Sequence, residues 1–426
     1  MIDGNVREAW ERKVEDLTSA GCSMAPVLDA IAADAPQLLE FFPRAAADAA
    51  LPAGLARRLA GCAPGSFGRA VLDRLASLPD AAHTQREVHR VLLGYGGSPF
   101  DDWALHAFAA AQNGNLESLL WISVLFARVG FVTPEATLPV HDCIADGWLR
   151  GKAARSLDGI DWEPFWSKPL AQVRAELAVA EPYLRFEDEP EIAARLRAPG
   201  RLPQNLSVPF WATVGGEVDP AALTPTIAAF GGTFDEELKD AIARAILRHE
   251  GQDEVARLPQ PPRVRIDDLR RCAPGTLGHA YYHLIVDNGF DPEVFDPDSI
   301  GGFHPGIDGT NRRILQQHEI WHLIAGYSIS PLHETAISSF QLAQFGHSYS
   351  ATFLATTVAL LLFGQPVFAG IALQVMAEGW LHGRRTCPLM PIDWFSLWDE
   401  PIDELRRRFG IEPFQSVIPD LLAQAA

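Results

Sequence analysis

The sequence predicts an all-α protein made of two tandem, homologous helical domains that form a pseudo-dimer. Three observations lead there. Apolar residues recur at three- and four-residue spacing in text dominated by Ala, Leu, Arg and Glu, Pro and Gly punctuate the segments, and sustained strand alternation is scarce. At 426 residues the chain is long for a single core. It also contains a copy of itself: an offset of 232 positions lays Gly94-Tyr95, Ser98-Pro99, Phe108, Gln112 and Gly114 on Gly326-Tyr327, Ser330-Pro331, Phe340, Gln344 and Gly346. The same offset puts Gly147-Trp148-Leu149, Gly151, Asp161-Trp162, Trp166 and Arg174 on Gly379-Trp380-Leu381, Gly383, Asp393-Trp394, Trp398 and Arg406.

Taken in order, residues 1 to about 57 read as helices leading into the first copy, which ends near Ala180 and closes a first domain of 1–180. A joining region of 181–262 follows, with Pro182, Pro190, Pro199 and Pro203 and a charged helix near Asp235–Glu250. The run Pro259-Gln260-Pro261-Pro262 marks its end. The second copy, 263–426, opens with Cys272-Ala273-Pro274-Gly275-Thr276-x-Gly278, which matches Cys62-Ala63-Pro64-Gly65-Ser66-x-Gly68 at an offset of 210. It therefore carries about 22 extra residues, most of them in the Gly-, Pro- and Asp-rich stretch Asp287–Pro305, expected to be a loop near the site. The repeated Trp148/Trp380, Trp162/Trp394 and Trp166/Trp398 are expected in the cores.

A formal charge of −19 with no basic stripe argues against nucleic-acid binding. Five cysteines far apart in sequence, with no CxxC pair, give no disulfide framework and fit a reducing cytoplasm. The charged, helical N-terminal text shows no secretory signal. From Thr335 to Ala377 there is no Asp, Glu, Lys or Arg. Length alone would permit a membrane span. Gly364-Gln365-Pro366 interrupts the run, however, and the aligned part of the first copy carries Glu117, Arg128, Glu135 and Asp142. Buried helices lining a core or an apolar pocket are the expectation, with membrane-surface or subunit contact as the alternative.

The second copy carries a candidate metal constellation. His318 and His322 are four apart on an expected helix, so both imidazoles share one face. Gly326 caps that helix and Ser330-Pro331 starts the next, which places Glu334 in its first turn, opposite the histidines. His318, Glu319, His322 and Glu334 suit Zn²⁺, Fe²⁺ or Mn²⁺. The first copy has Arg86-Glu87-x-x-Arg90 and Asp102 at these positions, so an ion pair takes the place of the metal there. The spelling HExxH also admits a metallohydrolase with Glu319 as general base, but no HxxGxxH continuation follows His322.

These residues resemble the ubiquinone (coenzyme Q) biosynthesis protein Coq4 family, whose signature is His-Asp-x-x-His, eleven residues, then Glu. His318-Glu319-Ile320-Trp321-His322, eleven residues and Glu334 match that spacing, with Glu319 where the family has Asp. The similarity takes in Ala273-Pro274-Gly275-Thr276-x-Gly278-x-Ala280 and the closing Gly379-Trp380, Cys387-Pro388-Leu389, Trp394 and Glu404-Leu405-Arg406. It covers about 265–415 well and 55–180 in degenerate form. The resemblance implies an all-helical fold, a divalent metal on His318, Glu319, His322 and Glu334, and an apolar cavity for a polyprenyl chain lined by Thr335–Ala377. It further implies association with the inner membrane or with other quinone-biosynthesis proteins, and a role in removing the ring carboxylate with hydroxylation at that carbon.

The leading functional expectation is a metal-dependent enzyme acting on a prenylated aromatic or quinone-like precursor, with Glu319 and His322 as the candidate catalytic pair. His304, His333, His347 and Tyr327 are near in sequence and could move protons. A second expectation is a prenyl-lipid-binding scaffold in which the metal serves the headgroup or the fold.

Overall fold

The computed structural model describes residues 2–18, 23–42, 51–52, 54–79, 84–186, 189–219, 222–290 and 304–420. Their secondary structure is helical, with two isolated β-bridges, Ser66 with Pro169 and Thr276 with Pro401. The fold class is all-α. The chain gathers into two compact units: Met1–Leu125, Pro139–Ala198 and Gln365–Gly370 form one, and Phe126–Leu138, Pro199–Gly364 and Ile371–Ala426 the other. The stretch 181–262 is divided between them after Ala198. Most of the loop expected over Asp287–Pro305 lies outside the described residues.

In the first unit Phe67, Val71, Val88, Leu92, Phe108, Trp162, Trp166 and Val173 pack together, drawn from the helices Phe67–Leu75, Gln85–Leu93, Pro99–Asn113 and Leu170–Glu176 and the loops between them. In the second, Leu277, Tyr281, Ile320, Trp321, Phe340, Val375, Trp394 and Leu405 do so. Five of the six repeated tryptophans are buried, and Trp398 packs partly buried against the second core.

The repeated residues make the same contacts in each unit. Gly68 N–H donates to the Trp166 carbonyl at 2.9 Å, and Gly278 N–H to the Trp398 carbonyl at 2.8 Å. A Cβ at either glycine would strike a cysteine sulfur, Cys62 or Cys272, at 2.7 or 2.6 Å. Side-chain amides clamp a helix end: Gln112 donates to the Gly151 carbonyl and accepts from Leu157 N–H, while Gln344 donates to Gly383 and accepts from Leu389 N–H. Arg174 and Arg406 each donate to two carbonyls at the end of a preceding helix, Leu92 and Val91 in one case, Ile324 and Leu323 in the other. Two sequence stretches that differ in most side chains keep one set of polar clamps.

Among the described residues no single helix is long and apolar enough to cross a bilayer, and the one candidate pair, Ser348–Phe363 with Pro366–Arg385, is bent by 119°. Ser348–Phe363 buries Leu354, Ala355, Val358 and Ala359 and packs on Pro331–Phe345 and Ser207–Val214. The uncharged run is interior along this helix. Val367 and Phe368, just beyond the break, are exposed.

Two predictions follow from this packing. A Cβ at Gly379 would lie 2.2 Å from the Ala336 carbonyl oxygen, so Gly379→Ala should cost about 3 kcal/mol or more, read as a lower urea midpoint. Gly370→Ala, where a Cβ meets nothing within 4 Å, should be neutral or mildly stabilising. Separately, burial, with Arg384 and Arg248 nearby, pushes His249 down to about 4. The unfolded chain then binds the extra proton. Stability from this group is complete above pH about 6.5 and drains as pH falls towards 4, by on the order of 3 kcal/mol. His249→Gln should flatten urea midpoints measured across that window; an unchanged slope would count against the assignment.

Candidate metal centre

The site is built on a helix, a turn and a second helix. Asp308–Ala325 carries His318, Glu319 and His322 and ends at Gly326, whose φ of 78° is readily available only to glycine. Pro331–Phe345 follows, with Ser330 accepting from His333 N–H as its cap and Glu334 in its first turn. The cap and turn arrangement read from the sequence is present. It brings the Glu334 carboxylate back onto the two imidazoles.

His322 is buried and its Nδ1 lies 3.1 Å from the Ser328 carbonyl, to which an Nδ1–H donates, leaving Nε2 facing inward. There it meets His318 Nε2 at 3.1 Å and Glu334 Oε1 at 3.2 Å, and His318 Nε2 lies 3.6 Å from Glu334 Oε2. Ligand atoms of His318, Glu319 and His322 all fall within 4.8 Å of one another. Ligands about 2.0–2.1 Å from a tetrahedral ion are roughly 3.3 Å apart, so the His318, His322 and Glu334 separations fit a common cation. The two histidines singled out in the sequence thus meet Glu319 on one hand and Glu334 on the other.

The electrostatics favour positive charge. Burial alone would lower His318, but its hydrogen bond to Glu334 and the charges of Glu319 and Glu334 raise it to about 9. Burial alone would raise Glu334, yet hydrogen bonds and charge from His318 and His322 hold it well below the usual carboxylate range. Tyr281 is pushed up by burial and then by Glu319. Glu319 and Glu334 thus stabilise positive charge at His318, a local balance that suits a divalent ion.

A supporting chain was missed in the sequence. The Gln341 carboxamide meets His318 Nδ1 at 2.6 Å, Ser350 Oγ–H donates to Gln341 Oε1 at 3.3 Å, and His347 Nδ1 lies 2.9 Å from Ser350 Oγ. Gln341 sits seven residues after Glu334, on the same strip of the helix, and this spacing was the available signal. His347 is pushed down to about 3 by burial and by His318. It belongs to this chain. His333 Nδ1 accepts from Ser328 N–H, and Tyr327 stacks on Phe414 with its hydroxyl 2.7 Å from His382 Nδ1. His304 instead lies 3.2 Å from Asp240.

The first unit fills the equivalent place with charge pairs. Arg90, buried, donates to Asp102, to the Gly96 carbonyl at 2.7 Å and to Glu87 at 3.3 Å, and Glu87 also takes Arg74 at 2.6 Å. Arg86 lies 3.5 Å from Asp102. The ion pair expected there is present. No metal-ligating triad was found in it among the described residues.

The family model described as coenzyme Q (ubiquinone) biosynthesis protein Coq4 matches residues 199–415, half of the chain. The chain belongs to this family. It is similar to the mitochondrial ubiquinone biosynthesis protein COQ4 of Lachancea thermotolerans, 26% identical over 211 residues, 48% of this chain and 58% of that protein. The mitochondrial COQ4 homolog of Drosophila melanogaster is 26% identical over 203 residues, 43% of this chain and 69% of the relative. The chain spans about half the length of the first curated relatives it matches. A solved structure of a putative ubiquinone biosynthesis protein from Nostoc punctiforme is 19% identical, with a TM-score of 0.41, covering 48% of this chain and 96% of that one. The matched region contains every candidate ligand.

The geometry of the first unit yields a further prediction. Arg90→Met removes one of the two guanidinium partners of each of Glu87 and Asp102 and should cost about 2 kcal/mol in stability. Metal content should not change, because the ligands lie elsewhere. A variant that kept full stability would contradict the pairing.

Proposed function

We propose that this protein acts in ubiquinone or related prenylated quinone biosynthesis, as a divalent-metal-dependent enzyme that modifies the ring of a prenylated aromatic precursor. The observation that carries the reading is the convergence of the His318 and His322 Nε2 atoms at 3.1 Å with Glu334 at 3.2 and 3.6 Å. Family membership supplies the pathway. Zn²⁺, Fe²⁺ or Mn²⁺ bound by His318, Glu319, His322 and Glu334 would supply Lewis-acid polarisation of a ring oxygen or carboxylate, in a reaction of the ring decarboxylation and hydroxylation class.

The chain's own residues have separable tasks in this proposal. Ser328 and Gln341 orient the two imidazoles. Glu319 is one methylene longer than the family's aspartate at this position, and with Tyr281 close by it either binds the ion directly or holds a water beside it. The uncharged helices of Thr335–Ala377 provide apolar surroundings for a prenyl chain. Exposed Val367 and Phe368 support peripheral contact with a membrane, and the relatives are named as mitochondrial proteins. We further propose that the two units arose by duplication, the first having become a catalytically silent structural partner, with copies over 1–180 and 263–426; the recurring clamps support this.

The buried, uncharged character of Ser348–Phe363 also favours a second reading, a prenyl-lipid-binding scaffold that presents its ligand to other quinone-biosynthesis proteins. Metal analysis and complementation test the first. Purified protein should hold about one equivalent of metal, and His322→Ala should lose at least tenfold of it and fail to restore a quinone-deficient strain. Wild type without stoichiometric metal, or a variant that still complements, overturns the proposal. A tightly retained prenyl lipid without turnover in air selects the scaffold.

A further inference from the structure

The turn that orients His322 is itself held by a residue far along the chain. Ser328, whose carbonyl accepts from His322 Nδ1–H, is engaged at every polar atom. Its N–H donates to His333 Nδ1 at 2.9 Å, its Oγ accepts from Ser330 N–H at 3.2 Å, and its hydroxyl donates to the Asp420 carboxylate. Asp420 lies 92 residues further on, and its side chain is only 11% exposed. It is 3.6 Å from His333 Nδ1, beyond hydrogen-bond distance, so towards His333 it contributes charge alone. A carboxylate withdrawn from water needs donors aimed at it, and the Ser328 hydroxyl is one.

The segment that delivers Asp420 is fastened along its length within the second unit. Phe414 N–H donates to the Ala325 carbonyl at 2.7 Å, at the end of the histidine helix, and its ring stacks on Tyr327 with centroids 4.4 Å apart. Ser416 Oγ–H and Val417 N–H then donate to the Glu378 carboxylate. The first unit keeps this fastening: Asp146, aligned with Glu378, accepts from Tyr183 and Leu184 N–H. It also keeps the orienting carbonyl, since Arg90 donates to Gly96 as His322 does to Ser328. What it lacks is the hydroxyl, because a glycine stands at 96. The frame forms without a Ser328–Asp420 link, and the link accompanies the histidines.

Resting on the metal centre proposed above, we infer that Asp420 is a positioning residue of that centre: through the Ser328 hydroxyl it fixes the carbonyl that sets the orientation and tautomer of His322. The C-terminal segment is then part of the metal site. An imidazole that turns about its Cβ–Cγ bond carries Nε2 away from the point it shares with His318 and Glu334, and the carbonyl on Nδ1 prevents that turn. His333 holds Ser328 at its N–H and Asp420 holds it at its hydroxyl, so the carbonyl between His322 and the turn keeps one direction. Asp420 touches neither the imidazole nor the ion. Its effect is on how tightly, and in which tautomer, His322 is presented.

The test is the zinc affinity of the full chain, read by competition with a chromogenic chelator. Asp420→Ala should bind zinc about tenfold more weakly, the low end of what losing a ligand's hydrogen-bonded partner costs. Asp420→Asn, whose amide oxygen still accepts from the Ser328 hydroxyl, should recover most of that loss. Ser328→Ala cuts the same link from the other side and should reproduce it, and adding Asp420→Ala to Ser328→Ala should cost little more. Ser416→Ala loosens the same segment without touching Ser328 and should leave zinc affinity unchanged. In zinc-free protein the His322 Nδ1–H resonance, shielded from exchange by the Ser328 carbonyl, should broaden in Asp420→Ala and stay sharp in Ser416→Ala. Undiminished affinity in Asp420→Ala, an asparagine variant as weak as the alanine, an equal loss in Ser416→Ala, or additive losses in the double variant would each overturn the inference. Failure of the metal reading is separate: wild type then binds no zinc at His318 and His322, while the resonance still decides whether Asp420 positions His322.

Discussion

The close approach of two helices in the second unit sets the geometry of everything near the site. Gly379 and Gly383 let Ala369–Arg385 rest against the Ala336 and Phe340 backbone of Pro331–Phe345, where a Cβ would come within 2.2 and 2.7 Å of carbonyl oxygens. Gln344 then ties the two helices with hydrogen bonds to Gly383 and Leu389. Once Pro331–Phe345 is held, the short turn after Gly326 leaves its first turn beside the end of the histidine helix, and Arg406 fixes that end through the Ile324 and Leu323 carbonyls. Glu334 meets the imidazoles because of these backbone constraints.

The same frame exists in the first unit, and its chemistry differs. Gly147 sits against Ala104 as Gly379 does against Ala336, and Gln112 and Arg174 repeat the clamps. Yet Arg90 and Asp102 stand where His322 and Glu334 stand, and their ion pair joins a buried guanidinium to a half-exposed carboxylate. A guanidinium supplies fixed positive charge at the place where the second unit gathers imidazole nitrogens and a carboxylate. The packing contacts recur while the side chains at this place differ, which separates what the fold requires from what the site requires.

Much of this was legible in the sequence for a physical reason. His318 and His322 at four-residue spacing, Gly326 and Ser330-Pro331 are local signals, each set by helix geometry or by a glycine's freedom to adopt positive φ. The ion pair of Arg90 and Asp102 followed from the repeat alone. What the sequence hid depends on tertiary packing: the Ser328 carbonyl under His322, the Gln341–Ser350–His347 chain behind His318, and the Tyr327 contact with His382 join residues with no local marker of their role. His304 looked close in sequence to the site and pairs with Asp240 instead, because it precedes the start of a helix whose second half carries His318 and His322.

Anomalous diffraction from crystals of the intact chain, recorded on either side of the absorption edge of the metal it carries, addresses the central claim most directly. The account predicts one peak per chain, within bonding distance of the His318 and His322 Nε2 atoms and Glu334, and none beside Arg90. No peak at the histidines, or a second peak in the first unit, would contradict it.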